Sequence, residues 1–99
     1  TQAALVNNGY IVANAAQTTI TLPATCAIGD IVSIRGLGAA GWILAANAGQ
    51  TIKAGSQTTS SGGTLTSAEQ YNTVDVTCIV ANTTWTVSSM GPTSGLTYA

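Results

Sequence analysis

The side chains best suited to acid–base, nucleophilic or metal chemistry are few here: Cys26, Asp30, Glu69, Asp75 and Cys78. The chain has no histidine. That removes the commonest general base and metal ligand, and with it any Ser-His or Cys-His nucleophile pair. The two cysteines lack C-x-x-C spacing and do not form a zinc motif. A glycosidase-type pair would need two carboxylates to converge, and Asp30 and Asp75 are the only reasonable choice. Each has a simpler reading. Asp30 follows Gly29 and is expected to cap a turn. Asp75 is expected to pair with Arg35 or Lys53, or to face solvent. The chain is therefore expected not to be an enzyme and to carry no metal or other cofactor.

Gly36-Leu37-Gly38-Ala39-Ala40-Gly41 fits G-x-G-x-x-G in outline. The dinucleotide motif also needs a following helix and an acidic residue some 20 positions on. Here Trp42 opens a strand pattern instead, so these glycines are read as a tight corner with close packing. Whether Cys26 and Cys78 are bonded is open. A disulfide requires nearby Cα atoms, and two buried free thiols fit equally well.

Binding is the better prospect. The aromatic residues are Tyr10, Trp42, Tyr71, Trp85 and Tyr98. Exposed tyrosine and tryptophan serve as platforms for sugar rings and as interface anchors. Tyr71, between a polar loop and Asn72, is the aromatic expected to be exposed. Asn47 and Gln50 flank a turn, where their amides can hold a polar ligand or satisfy turn backbone groups. Trp42 and Trp85 lie in apolar strands and are assigned to the core or to a subunit interface.

Charge points the same way. Only 5% of the 99 residues are charged, and the net charge is -1. Ordinary soluble domains carry roughly 25%. No basic patch is present for nucleic acid and no cationic amphipathic stretch for a membrane surface. No apolar run approaches the ~20 residues of a membrane span. A surface of hydroxyls and amides has little charge repulsion to keep copies apart. Much of it is expected to lie against identical chains, in contacts nearly insensitive to ionic strength.

The elements that would position these residues are strands. Thr18-Thr19-Ile20-Thr21-Leu22 alternates with period two and stops at Pro23. Residues 30–35 place Val32 and Ile34 on one face. Residues 42–45, 50–53 and 64–66 read as short strands, and residues 56–63 as a polar loop. Val74, Val76, Cys78 and Val80 share a face. Residues 73–80 and 84–88 form an antiparallel hairpin about Ala81-Asn82-Thr83. Residues 13–16 and 67–70 are too short for more than a helical turn. The fold is predicted to be all-β, a small antiparallel β-sandwich or β-prism, a single domain over residues 1–99, assembled as a trimer. A chain beginning at Thr1 is expected to be a fragment of a longer protein or a processed chain.

Two stretches carry a resemblance. One is Thr21-Leu22-Pro23-Ala24-Thr25 with Gly29-Asp30, the 36–42 corner and Asn47-Ala48-Gly49-Gln50-Thr51-Ile52. The other is Ala81-Asn82-Thr83-Thr84-Trp85-Thr86-Val87. From about Tyr10 onward the chain resembles a short β-rich domain near the C-termini of phage tail-fibre and tailspike-like proteins and related bacterial surface proteins. The tail, Gly91-Pro92-Thr93-Ser94-Gly95-Leu96-Thr97-Tyr98, is longer than that pattern. The resemblance implies a trimerisation and receptor-contact domain on a virion or cell surface, meeting copies of itself and a host glycan. The alternatives are a lectin-like carbohydrate-binding module, a capsid decoration subunit and an extracellular filament subunit.

Overall fold

The computed structural model describes residues 2–13, 16–38, 41–54, 57–67, 71–91 and 96–99, and among these there is no helix. The strands are β1 (Gln2–Ala3), β2 (Asn8–Val12), β3 (Thr18–Thr21), β4 (Ile31–Gly36), β5 (Trp42–Ala45), β6 (Thr51–Ala54), β7 (Gln57–Thr58), β8 (Thr64–Ser67), β9 (Thr73–Val80), β10 (Thr84–Gly91) and β11 (Leu96–Tyr98). One sheet has the order β1-β3-β5-β8-β11 and the other β2-β4-β9-β10-β6-β7. The helical-turn readings at 14–15 and 68–70 and the tail at 92–95 lie outside the described residues.

Up to β5 the chain crosses to the opposite sheet after every strand. Partners are therefore next-but-one in sequence, and they run parallel: β1 with β3, β3 with β5, and β2 with β4. Asn8 meets Val32 and Thr18 meets Trp42, so the β2–β4 and β3–β5 windings take 24 positions each (8 to 32, 18 to 42), whereas β1–β3, with Gln2 opposite Ile20, takes 18 (2 to 20). The expected antiparallel sandwich is corrected on this point: both sheets are mixed. Short links between strands suggest hairpins, but a short link can equally carry the chain over the edge of the core to the other layer.

The predicted hairpin is present. β9 and β10 pair antiparallel, with a register shift between Val87 and Ser89. The hairpin sits between β4 and β6, and β6 then pairs parallel with β10. Period-two patterning sets the inner faces. Val32 and Ile34 of β4, Val74, Val76 and Cys78 of β9, and Ile52 of β6 are buried with Trp85. They face Ile20, Trp42, Leu44 and Leu65 of the first sheet in one continuous core. Burial of each large aliphatic side chain contributes about 1.5–3 kcal/mol.

Gly36 sits at a packing corner, and β5 follows from Trp42. A Cβ on Gly36 would stand 3.1 Å from the Asn72 carbonyl oxygen and 3.1 Å from the Trp42 ring. A side chain at position 36 would press on both and require them to give by a few tenths of an ångström.

Candidate functional site

Tyr71 stands where the link between β8 and β9 meets the end of β4. Its N–H donates to the Gly36 carbonyl (2.9 Å), and Gly36 N–H donates to the Asn72 carbonyl (2.9 Å). That carbonyl also accepts the Trp42 indole N–H at 3.0 Å. These bonds hold Tyr71 at φ 68°, in the left-handed region. Asn7 and Asn82 share that region, which asparagine tolerates, but a tyrosine there costs about 1–2 kcal/mol. The phenol is 65% exposed. Beneath it Asn72 is buried, and its Nδ2 has no partner among the described residues. Leu37 and Ile11 are exposed at the same end of the sheet, Ile11 opposite Arg35 in the ladder.

Arg35 donates to Asp75 at 2.8 Å across β4 and β9, one of the partners expected for Asp75. The pair is solvated and contributes at most ~1 kcal/mol. An exposed aromatic face is suited to stacking a sugar ring or planar group. The exposure expected of Tyr71 is therefore present.

Asn47 and Gln50 lie elsewhere, past the far end of β5, with the whole strand between them and the Trp42–Asn72 contact. Four residues of strand span about 13 Å. The three residues proposed for ligand binding do not converge. Gln50 is 1% exposed. Its Oε1 accepts the Asn47 N–H (2.9 Å), and its Nε2 donates to the Pro23 carbonyl (2.8 Å) and, more weakly, to that of Ala24 (3.4 Å). Asn47 Nδ2 donates to the Leu22 carbonyl at 2.5 Å. Of the two readings given for these amides, the geometry is that of turn satisfaction, because the β3–β4 link leaves inward-facing carbonyls that must find donors. Trp42 and Trp85 are both fully buried in this chain's own core, so neither indole is exposed for a subunit contact.

A second exposed group of side chains, not anticipated from the sequence, lies at the opposite end of β4, about 17 Å along the strand from the Tyr71 corner. Ile31 is exposed on the outer face, and Ile79 lies diagonally across on β9 because Ile31 pairs with Thr77. Ile28, in the preceding turn, and Val80, at the end of β9, are exposed beside them. The strict alternation that made residues 74–80 readable had placed Val80 inside.

Asp30 closes the turn before β4, its Oδ2 accepting the Ala27 N–H at 2.9 Å, as expected of a capping residue. No cluster of three metal-ligating side chains occurs among the described residues. Cys26 and Cys78 are buried and free. Burial, followed by a hydrogen bond and a like-charge interaction with Cys26, pushes the Cys78 thiol up from 9.0 to about 11. Burial also raises Tyr98. An acid whose pKa is raised by folding favours the protonated folded state. Its stabilisation is whole below pH 9 and lost as the pH rises through about 11. Urea midpoints are therefore expected to hold to about pH 9 and then fall, less steeply in Cys78→Ala. A midpoint flat to pH 11 would contradict the assignment.

The class reached by this geometry is an all-β protein of two mixed sheets around one core. No protein-family model matches the chain, and no curated protein matches it either.

Proposed function

We propose that the chain is a non-catalytic contact domain of a fibre-type assembly. It trimerises with copies of itself and presents a receptor-binding surface, as the resemblance to phage tail-fibre and tailspike-like domains implies. Its place would be the virion or a cell surface. The observation that carries this reading is the pair of exposed, largely uncharged surfaces at the two ends of β4, on a chain with five charged residues. The Ile31–Ile79 end suits contact between copies, being aliphatic and without charge repulsion. The Tyr71 end, aromatic and flanked by polar groups, suits an external ligand such as a glycan. A stable interface needs about 800 Å² per partner, roughly a sixth of the 4727 Å² that this chain exposes.

Light scattering coupled to size exclusion tests the assembly. The native chain is expected to run as a trimer, unchanged in about 1 M NaCl because charges contribute little. Ile31→Lys with Ile79→Lys is expected to give a folded monomer. Tyr71→Ala is expected to stay trimeric while losing glycan-array binding. A native monomer would sink the trimer. A monomer that binds glycans would favour the lectin-like reading, for which the Tyr71 corner is the specific support. Polymerisation with concentration would favour the filament.

A further inference from the structure

The structure assigns to Cys26 and Cys78 a paired-thiol site that closes to an intrachain disulfide on reaction with a small-molecule disulfide. The inference does not depend on the contact function. The two residues are 52 positions apart, yet the backbone around one is bound to the backbone around the other. Cys78 donates its N–H to the Asp30 carbonyl and accepts the Gly29 N–H, both at 2.8 Å. Cys26 donates its N–H to Asn82 Oδ1 at 2.7 Å, and Asn82 N–H donates back to the Cys26 carbonyl at 3.2 Å. The same Asn82 N–H lies 3.3 Å from Cys26 Sγ. The Cys78 thiol donates to the Val80 carbonyl at 3.3 Å. Both sulfurs thus lie against the same turn, Cys26 Sγ at Asn82 and Cys78 Sγ at Val80, with Asn82 left-handed at φ 63°.

This arrangement differs from that of two unrelated core cysteines. The strands could bury each thiol among aliphatic side chains; instead the loop before β4 brings Cys26 onto Cys78. The reaction balances with an external disulfide RS–SR. The thiol of Cys26, the less deeply buried residue of the two, loses its proton to solvent and attacks one sulfur of RS–SR, releasing RS⁻. The Cys78 sulfur, deprotonated in turn, attacks the Cys26 sulfur of the mixed disulfide and releases the second RS⁻. Two thiol protons reach solvent, and the two electrons reduce RS–SR to two thiolates. The new bond closes a loop of about 50 residues and ties the turn carrying Ile28 to the end of β9 carrying Ile79.

The test is refolding of the whole chain from urea into a buffer of reduced and oxidised glutathione. The sample is acid-quenched and read by non-reducing intact mass, peptide mapping and thermal melting. The expected product is a chain lighter by two hydrogens, with the Cys26 and Cys78 peptides joined and no glutathione adduct. Its melting temperature should exceed that of the reduced chain by roughly 10–25 °C. Cys26→Ala is expected to melt at the same temperature in oxidising and reducing buffer. Should that variant not fold, the mass and map of the native sequence still decide. Persistence of both free thiols, a stable glutathione adduct, a bond between chains only, or a melting temperature lowered by oxidation would each overturn the assignment.

Discussion

Trp42→Ala is expected to lower unfolding stability by about 3–5 kcal/mol, the range for losing a buried tryptophan. In a domain whose total is of the order of 5–15 kcal/mol, that leaves much of the chain unfolded near its working temperature. The cause is position. Trp42 is fully buried, touches the Gly36 corner and gives its indole N–H to the Asn72 carbonyl. Chemical denaturation followed by circular dichroism measures the loss. A graded comparison isolates the polar part. Trp42→Phe loses a made hydrogen bond along with volume. Trp85→Phe removes an N–H that has no partner among the described residues. Stranding a buried donor costs about 1–3 kcal/mol, so Trp85→Phe should cost clearly less than Trp42→Phe. Equal losses would mean that the two indoles are equally satisfied.

The same tryptophans show what a period-two pattern conveys. Strand alternation puts Trp42 with Leu44 on one face of β5, both buried. It did not say whether that face meets the other sheet or another molecule, because core and interface are built of the same residues. The hairpin of β9 and β10 was legible because eight alternating residues, a three-residue turn and a returning strand are local features. The parallel pairing of β2 with β4 was not. Asn8 and Gly9 lie in an edge strand where Gly9 passes beside Ser33, and no alternating apolar pattern marks that strand. Strand direction, moreover, is set by how the chain crosses the core and not by the strand's own residues.

The candidate site was legible in part for a related reason. Tyr71 could be singled out by its neighbours, a polar loop before it and Asn72 after it. Its left-handed backbone and the orphaned amide beneath it depend on contacts with Gly36 and Trp42, which are more than 25 positions away. The meeting of Cys26 with Cys78 depends likewise on Asn82. Composition showed how little charge there was to keep copies apart. It did not locate the Ile31–Ile79 surface, because neither isoleucine departs from an ordinary strand pattern.

Gln50 gives the second large effect, and its variants separate a structural amide from a ligand-binding one. Gln50→Leu keeps approximate volume but strands the Asn47 N–H and the Pro23 carbonyl. The expected loss is about 2–4 kcal/mol, the sum of two unmade part-buried hydrogen bonds. Asn47→Ala, which removes one side-chain bond to the Leu22 carbonyl, should cost about 1 kcal/mol. Gln50→Glu adds a test with a sign. Its carboxylate would face the Pro23 and Ala24 carbonyls where an amide N–H₂ now donates. Burial and that opposition favour the protonated acid, raising its folded pKa above the unfolded value of about 4.3. A group so shifted stabilises below its unfolded pKa and loses that contribution as the pH rises through its folded one. Relative to the native sequence, Gln50→Glu should therefore be closest in stability near pH 4 and furthest below it at pH 7. Urea midpoints at the two pH values measure this. A Gln50→Leu chain as stable as the native one, but deficient in glycan binding, would return Gln50 to the ligand role and undo its assignment to the turn.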